Sequence, residues 1–312
     1  MDALLGRTST RFLVVTLLPN LLLVFYVGFL LAAGAADHDP QLASALHALN
    51  DLTWRELVFG LFLVVGTAVV LHPVQYPLIQ ILEGYWLNLP FGAMASEWAT
   101  HRYHQHWLEL RAVEREASEE DVMSSKHGSA AGAQLDWMPT EPAKLLPTSL
   151  GNTLRAGEER AGSRYGLDIG ILLPRLFPLM RPEVRDQLNE RRNQLDAAAR
   201  VCIVALVACL VSIVLLVPGG HWLLVPFATF IVAWVSYRAA VAAAKGYCID
   251  MAAAVDLHHR DFWRAFELQP PANLEAEIGR GAIVSAVLAG RDHDPGFDRT
   301  VEWRDPPSTP SS

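Results

Sequence analysis

The most metal-like spacing in this chain is carried by Glu97, His101 and His104, which fall on one face if the segment is helical. Two imidazoles and a carboxylate form a donor set that zinc or iron accepts, so these three are the weak metal candidates. Trp98, Tyr103 and Trp107 interleave with them and describe equally well a helix at a membrane interface carrying ordinary polar residues. The second description is preferred, and no cofactor is expected. Arg155, Arg160 and Arg164 form a basic group whose forked donors could hold a lipid phosphate or another anion. Glu158 and Glu159 alternate with them and favour pairs within the chain. Thr16 and Asn20 lie one turn apart inside apolar sequence, and His72 precedes Pro73, Gln75 and Pro77. Polar residues at such depth make interhelical hydrogen bonds or line a pore. His258 and His259 are adjacent and point to different helix faces, one toward packing and one toward solvent. There is no glycine-rich phosphate loop, Gly-x-Ser-x-Gly elbow, His-Glu-x-x-His pair or Cys-x-x-Cys, so no nucleophile can be named and an enzyme is not expected.

These groups must be positioned by long apolar rods. Phe12 to Gly34, Leu57 to Leu82, Val201 to Val217 and Trp222 to Ala244 are each long enough to cross a hydrocarbon core of about 30 Å, which takes roughly 20 helical residues. The chain has 312 residues, 52% of them hydrophobic, while its 19% charged residues are segregated between the rods. The expected fold is all-α: a polytopic membrane protein with four transmembrane helices and long cytosolic helical extensions of spans three and four. A net charge of −8 without a basic stripe argues against nucleic acid as a partner. Three cysteines, Cys202, Cys209 and Cys248, do not suggest a disulfide framework.

Orientation follows from Lys and Arg placement. The loop between spans one and two holds only Arg55, whereas thirteen Lys or Arg lie between Arg102 and Arg192. Both termini are therefore expected in the cytosol of a bacterial cytoplasmic membrane, as even parity also requires. Arg7, Arg11 and the small residues from Ala32 to Ala36 also resemble a signal peptide, but the apolar stretch is long for one.

Five regions are expected. Residues 1–82 form an N-terminal pair of transmembrane helices. Residues 83–181 form a cytosolic or interfacial helical region, with a helix near Ser96 to Ala117, a mobile Ser/Gly/Ala-rich linker at about 118–134 and a compact piece from Pro147 to Met180. Residues 182–271 form a helical hairpin with its stalk, turned at Pro218-Gly219-Gly220 and stopped by Pro270 and Pro271. Residues 272–290 form an amphipathic helix burying Leu274, Ile278, Ile283 and Val287, and 291–312 form a disordered tail.

Three stretches carry a resemblance. They are Pro77-Leu78-Ile79-Gln80-Ile81-Leu82-Glu83-Gly84-Tyr85-Trp86, then Leu146 to Asp168 with Leu150-Gly151-Asn152-x-Leu154-Arg155 and Arg164-Tyr165-Gly166-Leu167-Asp168, and Asp256-Leu257-His258. The chain resembles a family of uncharacterised bacterial, largely actinobacterial, four-span integral membrane proteins. That resemblance implies architecture and no catalytic residue. It departs at Leu173, where the family has an aromatic residue before Pro-Arg-Leu.

The expected function is that of a membrane scaffold or sensor with a cytosolic helical module. Expected partners are the lipid bilayer, anionic lipid headgroups, a second copy of the chain and a protein partner of unknown kind. Ala205, Ala208, Cys209 and Ser212 offer a small-residue face for association, either between copies or with spans one and two. The alternatives are an oligomeric ion channel lined by Thr16, Asn20 or His72, and a metal-dependent enzyme at the inner leaflet built on His101 and His104.

Overall fold

The computed structural model describes residues 18–35, 40–87, 89–117, 122–216 and 222–291, with the side chains at 42, 70–75 and 122–125 left outside the description. Thr16, the side chain of His72, the turn at 218–220 and the tail beyond Arg291 lie outside it as well. Ten α-helices are described: α1 Leu18–Ala32, α2 Leu42–Asn50, α3 Trp54–Glu83, α4 Gly92–Ala117, α5 Val122–Leu135, α6 Ser149–Ser163, α7 Ile169–Leu176, α8 Pro182–Leu216, α9 Leu224–Ala265 and α10 Leu274–Leu288. Among the described residues there is no strand. Among the described residues two helices, α8 and α9, are long and apolar enough to cross a membrane, and a third candidate arises if α2 and the first part of α3, bent by 105°, count as one span. The chain divides into two compact units.

The first unit comprises residues 1–85 and 194–242. Thr53 opens α3 with its backbone N–H donating to Glu56 Oε2 at 2.7 Å, and Gly84 closes that helix at φ 98°, a left-handed position glycine occupies without strain. The helix stays unbroken across Pro73 and Pro77. Leu30, Ala35 and Leu216 are buried together, with Tyr26, Leu215, Trp222 and Val225 packed on them. The small-residue face of α8 is used inside this unit. Tyr26 Oη lies 2.5 Å from Ser212 Oγ, and Cys209 Sγ donates to the Pro226 carbonyl at 3.3 Å. Phe62, Val214 and Leu224 are over 70% exposed, a placement that costs free energy in water and none in hydrocarbon.

The second unit comprises residues 86–193 and 243–312. Its core joins Leu172 and Leu176 of α7, Leu188 of α8, Met251, Val255, Phe262 and Trp263 of α9, and Val284 of α10. Pro174 sits inside α7, and a 3₁₀ turn, Phe177–Leu179, follows it. The apolar stretch from Ile169 therefore packs on α8 and α9.

Two expectations change here. The linker expected at 118–134 is helix α5 from Val122, packed on α4 with Leu110, Ala131 and Leu135 buried between them. Its glycines and alanines permit close approach: a Cβ at Gly128 would lie 2.2 Å from Ala117 Cβ. The expected buried face of α10 is also displaced. Leu274, Ile278 and Val287 are exposed, while Glu277, Gly281, Val284 and Ser285 are buried. Backbone packing decides this, because a Cβ at Gly281 would stand 2.2 Å from the Tyr165 carbonyl oxygen.

Candidate functional site

Helix α6 is the centre of the second unit's polar chemistry. Thr148 caps it, accepting from the Gly151 N–H at 3.1 Å. Asn152 is buried and uses both ends of its amide: Oδ1 accepts from the Leu146 N–H at 2.7 Å, and Nδ2 donates to the Leu146 carbonyl at 2.9 Å. Gly157 faces α9, where a Cβ would meet Cys248 Sγ at 2.2 Å. These contacts hold one side of α6 against the core and turn Arg155, Glu158 and Glu159 toward a cleft.

That cleft has a volume of roughly 590 Å³ and is lined by Lys144, Arg155, Glu158, Glu159, Asp168 and Arg291, among others. Lys144 bridges Glu141 at 2.9 Å and Glu159 at 3.1 Å, and its bond to Glu141 does most to raise its ammonium pKa. Glu159 Oε2 accepts from the backbone and hydroxyl of Thr140 at 3.0 and 2.8 Å. Desolvation works against its charge, but the Thr140 and Lys144 bonds outweigh it and hold the carboxyl below the ordinary value. Glu158 goes the other way: desolvation raises its carboxyl, only partly offset by Arg155 and Arg192. Part of Glu158 nevertheless meets solvent at the cleft mouth. Arg291 stands 3.7 Å from Asp168, whose backbone N–H donates to Ser285 Oγ at 3.0 Å.

Beside the cleft a second polar network ties α9 to α10. The Tyr165 hydroxyl donates to Asp256 Oδ1 at 2.9 Å, and Arg164 Nη1 reaches Asp256 Oδ2 at 3.3 Å. Burial, then the Asp256 contact, raises the Tyr165 phenol. Its ring stacks on His259 at 4.1 Å. His259 Nε2 lies 3.6 Å from Glu277 Oε1, which accepts from the Trp263 indole at 3.0 Å. His258 is buried: Nδ1 bonds the Ala254 carbonyl at 2.9 Å, and Nε2 accepts from the Arg181 N–H at 3.2 Å. Both histidines are thus built into packing, where one had been expected in solvent.

The sequence candidates do not converge. Arg155 lines the cleft, Arg160 stacks on Trp137 at 4.8 Å and reaches the Asp136 carbonyl, and Arg164 goes to Asp256. Among the described residues no group of three His, Cys, Asp or Glu side chains gathers as a metal site. Glu97 and His101 face solvent, and His101 Nε2 is 3.4 Å from Gln105 Nε2. Asn20 is buried within the first unit. The Glu277–His259–Tyr165–Asp256 network escaped the sequence reading, although Tyr165 and Asp256 both lie in stretches that the sequence reading had singled out. Comparison with family models, curated proteins and solved structures gives no match.

Proposed function

We propose that this chain is a sensor held in the bacterial cytoplasmic membrane by four helical spans, with both termini inside and a cytosolic helical module that binds a small dipolar solute. The charged cleft carries this reading, because groups of both signs line one concave surface. Arg155 and Glu158, one turn apart on α6, would meet the carboxylate and the ammonium of such a solute. Anchoring is supported by α8 and α9, each one helix of 35 or 42 residues whose other stretch contributes to the module's core. The long α3 and the apolar α1 supply the remaining two spans in this proposal. The bonds of Tyr26 and Ser212 favour the small-residue face as internal packing, so a scaffold needs no second copy.

The test is thermal unfolding of the full chain in lipid nanodiscs with glycine, inorganic phosphate or a diamine added. A bound solute at a hundred times its Kd adds about 2.7 kcal/mol. Glycine is expected to raise Tm, and Arg155→Gln and Glu158→Gln to abolish the rise. Stabilisation that survives both substitutions, or none from glycine at saturating concentration, contradicts the proposal.

A further inference from the structure

The residues described between α3 and α4 form an apolar tip. Gly84 ends α3, and two consecutive turns follow: the Leu89 N–H donates to the Trp86 carbonyl at 2.9 Å, and the Gly92 N–H to the Leu89 carbonyl at 2.8 Å. Only glycine fits at 92, since a Cβ there would lie 1.8 Å from the Trp86 carbonyl oxygen. The loop and the first turns of α4 carry large apolar residues that face outward. Leu87 is 74% exposed, Phe91 83%, Met94 68% and Trp98 64%.

Phe91 carries a second anomaly. Its φ is 61°, in the left-handed region that bulky residues rarely occupy. Such backbone persists where the surroundings hold it, and it concentrates at functional positions. An exposed phenylalanine in water would gain nothing from this arrangement; in hydrocarbon it would.

Polarity then changes along one helix face. Phe91, Met94, Trp98, His101 and Gln105 recur at helical spacing, and the apolar character stops after Trp98. Arg102 lies over the Trp98 ring at 5.0 Å, in a groove of roughly 420 Å³ shared with Trp86, Tyr103 and His106. An aromatic body with a cation at its polar rim is the composition of a lipid headgroup boundary.

We propose that the side chains of Leu87, Phe91, Met94 and Trp98 insert into the inner leaflet among the acyl chains, with Arg102 at the phosphates. The inference rests on reading α3 as a span, which places the tip where that span leaves the hydrocarbon. A phospholipid surface is the occupant this continuity selects.

Nitroxide labels at Leu87, Met94, His101 and Gln105, one per variant of the full chain, test this by power saturation in phosphatidylglycerol nanodiscs. A label at Leu61, exposed on α3, serves as the membrane reference. Oxygen is expected to relax the labels at 61, 87 and 94 preferentially, and a water-soluble nickel chelate those at 101 and 105. If 61 reports lipid while 87 and 94 report water, the insertion is overturned and the span reading stands. If 61 reports water, both fall. Labels at 87 and 94 shielded from both reagents would assign the tip to a protein partner and overturn the proposal equally.

Discussion

The Tyr165 hydroxyl donates to Asp256 Oδ1 at 2.9 Å, closing a contact between residues 91 positions apart and joining the end of α6 to α9. The phenol ring simultaneously stacks on His259, so one side chain serves both the polar and the packing contact. Tyr165→Phe keeps the ring and removes the bond. Its expected cost is about 1 kcal/mol. Combined with Asp256→Ala in a double-mutant cycle read by thermal unfolding, the pair should show coupling; strict additivity would mean that the bond contributes nothing.

Gly281 meets the Tyr165 carbonyl oxygen more closely than any Cβ allows. Gly281→Ala should therefore push α10 off the core, at a cost of about 1–3 kcal/mol. Gly279, with open space around its Cβ position, is the control. Gly279→Ala should be neutral or stabilising, since alanine is the better helix former. A denaturant midpoint lowered in the first variant alone is the expected result.

Asn152 satisfies both backbone groups of Leu146 from a buried position. Asn152→Leu would leave a donor and an acceptor without partners, each costing about 1–3 kcal/mol. Limited proteolysis should then cut first near Leu146. Unchanged resistance would show that the loop holds itself.

The two cleft glutamates predict opposite pH behaviour. Glu158 binds its proton more tightly folded than unfolded, so it subtracts stability as pH rises above 4.5 through its raised value. Glu158→Gln should remove that loss and be at least as stable as the parent at neutral pH. Glu159 is held below 4.5, so its contribution is present above that value and fades as pH falls through its lowered one. Glu159→Gln should be less stable at neutral pH and converge on the parent in acid. Unfolding midpoints across pH 3 to 7 check both signs.

The all-helical fold was legible because apolar runs and proline stops act locally. Pro182 opens α8, and Asn273 caps α10 by accepting from the Ala276 N–H at 2.9 Å. What stayed hidden was set by backbone approach. Small residues at Gly128 and Ala131 read as linker, yet they let α5 lie close on α4. Leu274 and Ile278 read as the buried face of α10, whereas Gly281 and the Glu277 bond to Trp263 decide the side that packs. The cleft draws Lys144, Arg155, Asp168 and Arg291 from four segments, and no spacing within any one of them foretells that meeting. Arg155 alone had been singled out.

The orientation of the chain decides most directly whether the charged cleft can sense a cytosolic solute. Single cysteines at Asp51 and Ser129, both exposed, can be probed with a membrane-impermeant maleimide, because Cys202, Cys209 and Cys248 are buried. The account predicts labelling of Asp51→Cys in intact cells and of Ser129→Cys only after lysis. Labelling of Ser129→Cys in intact cells would contradict it.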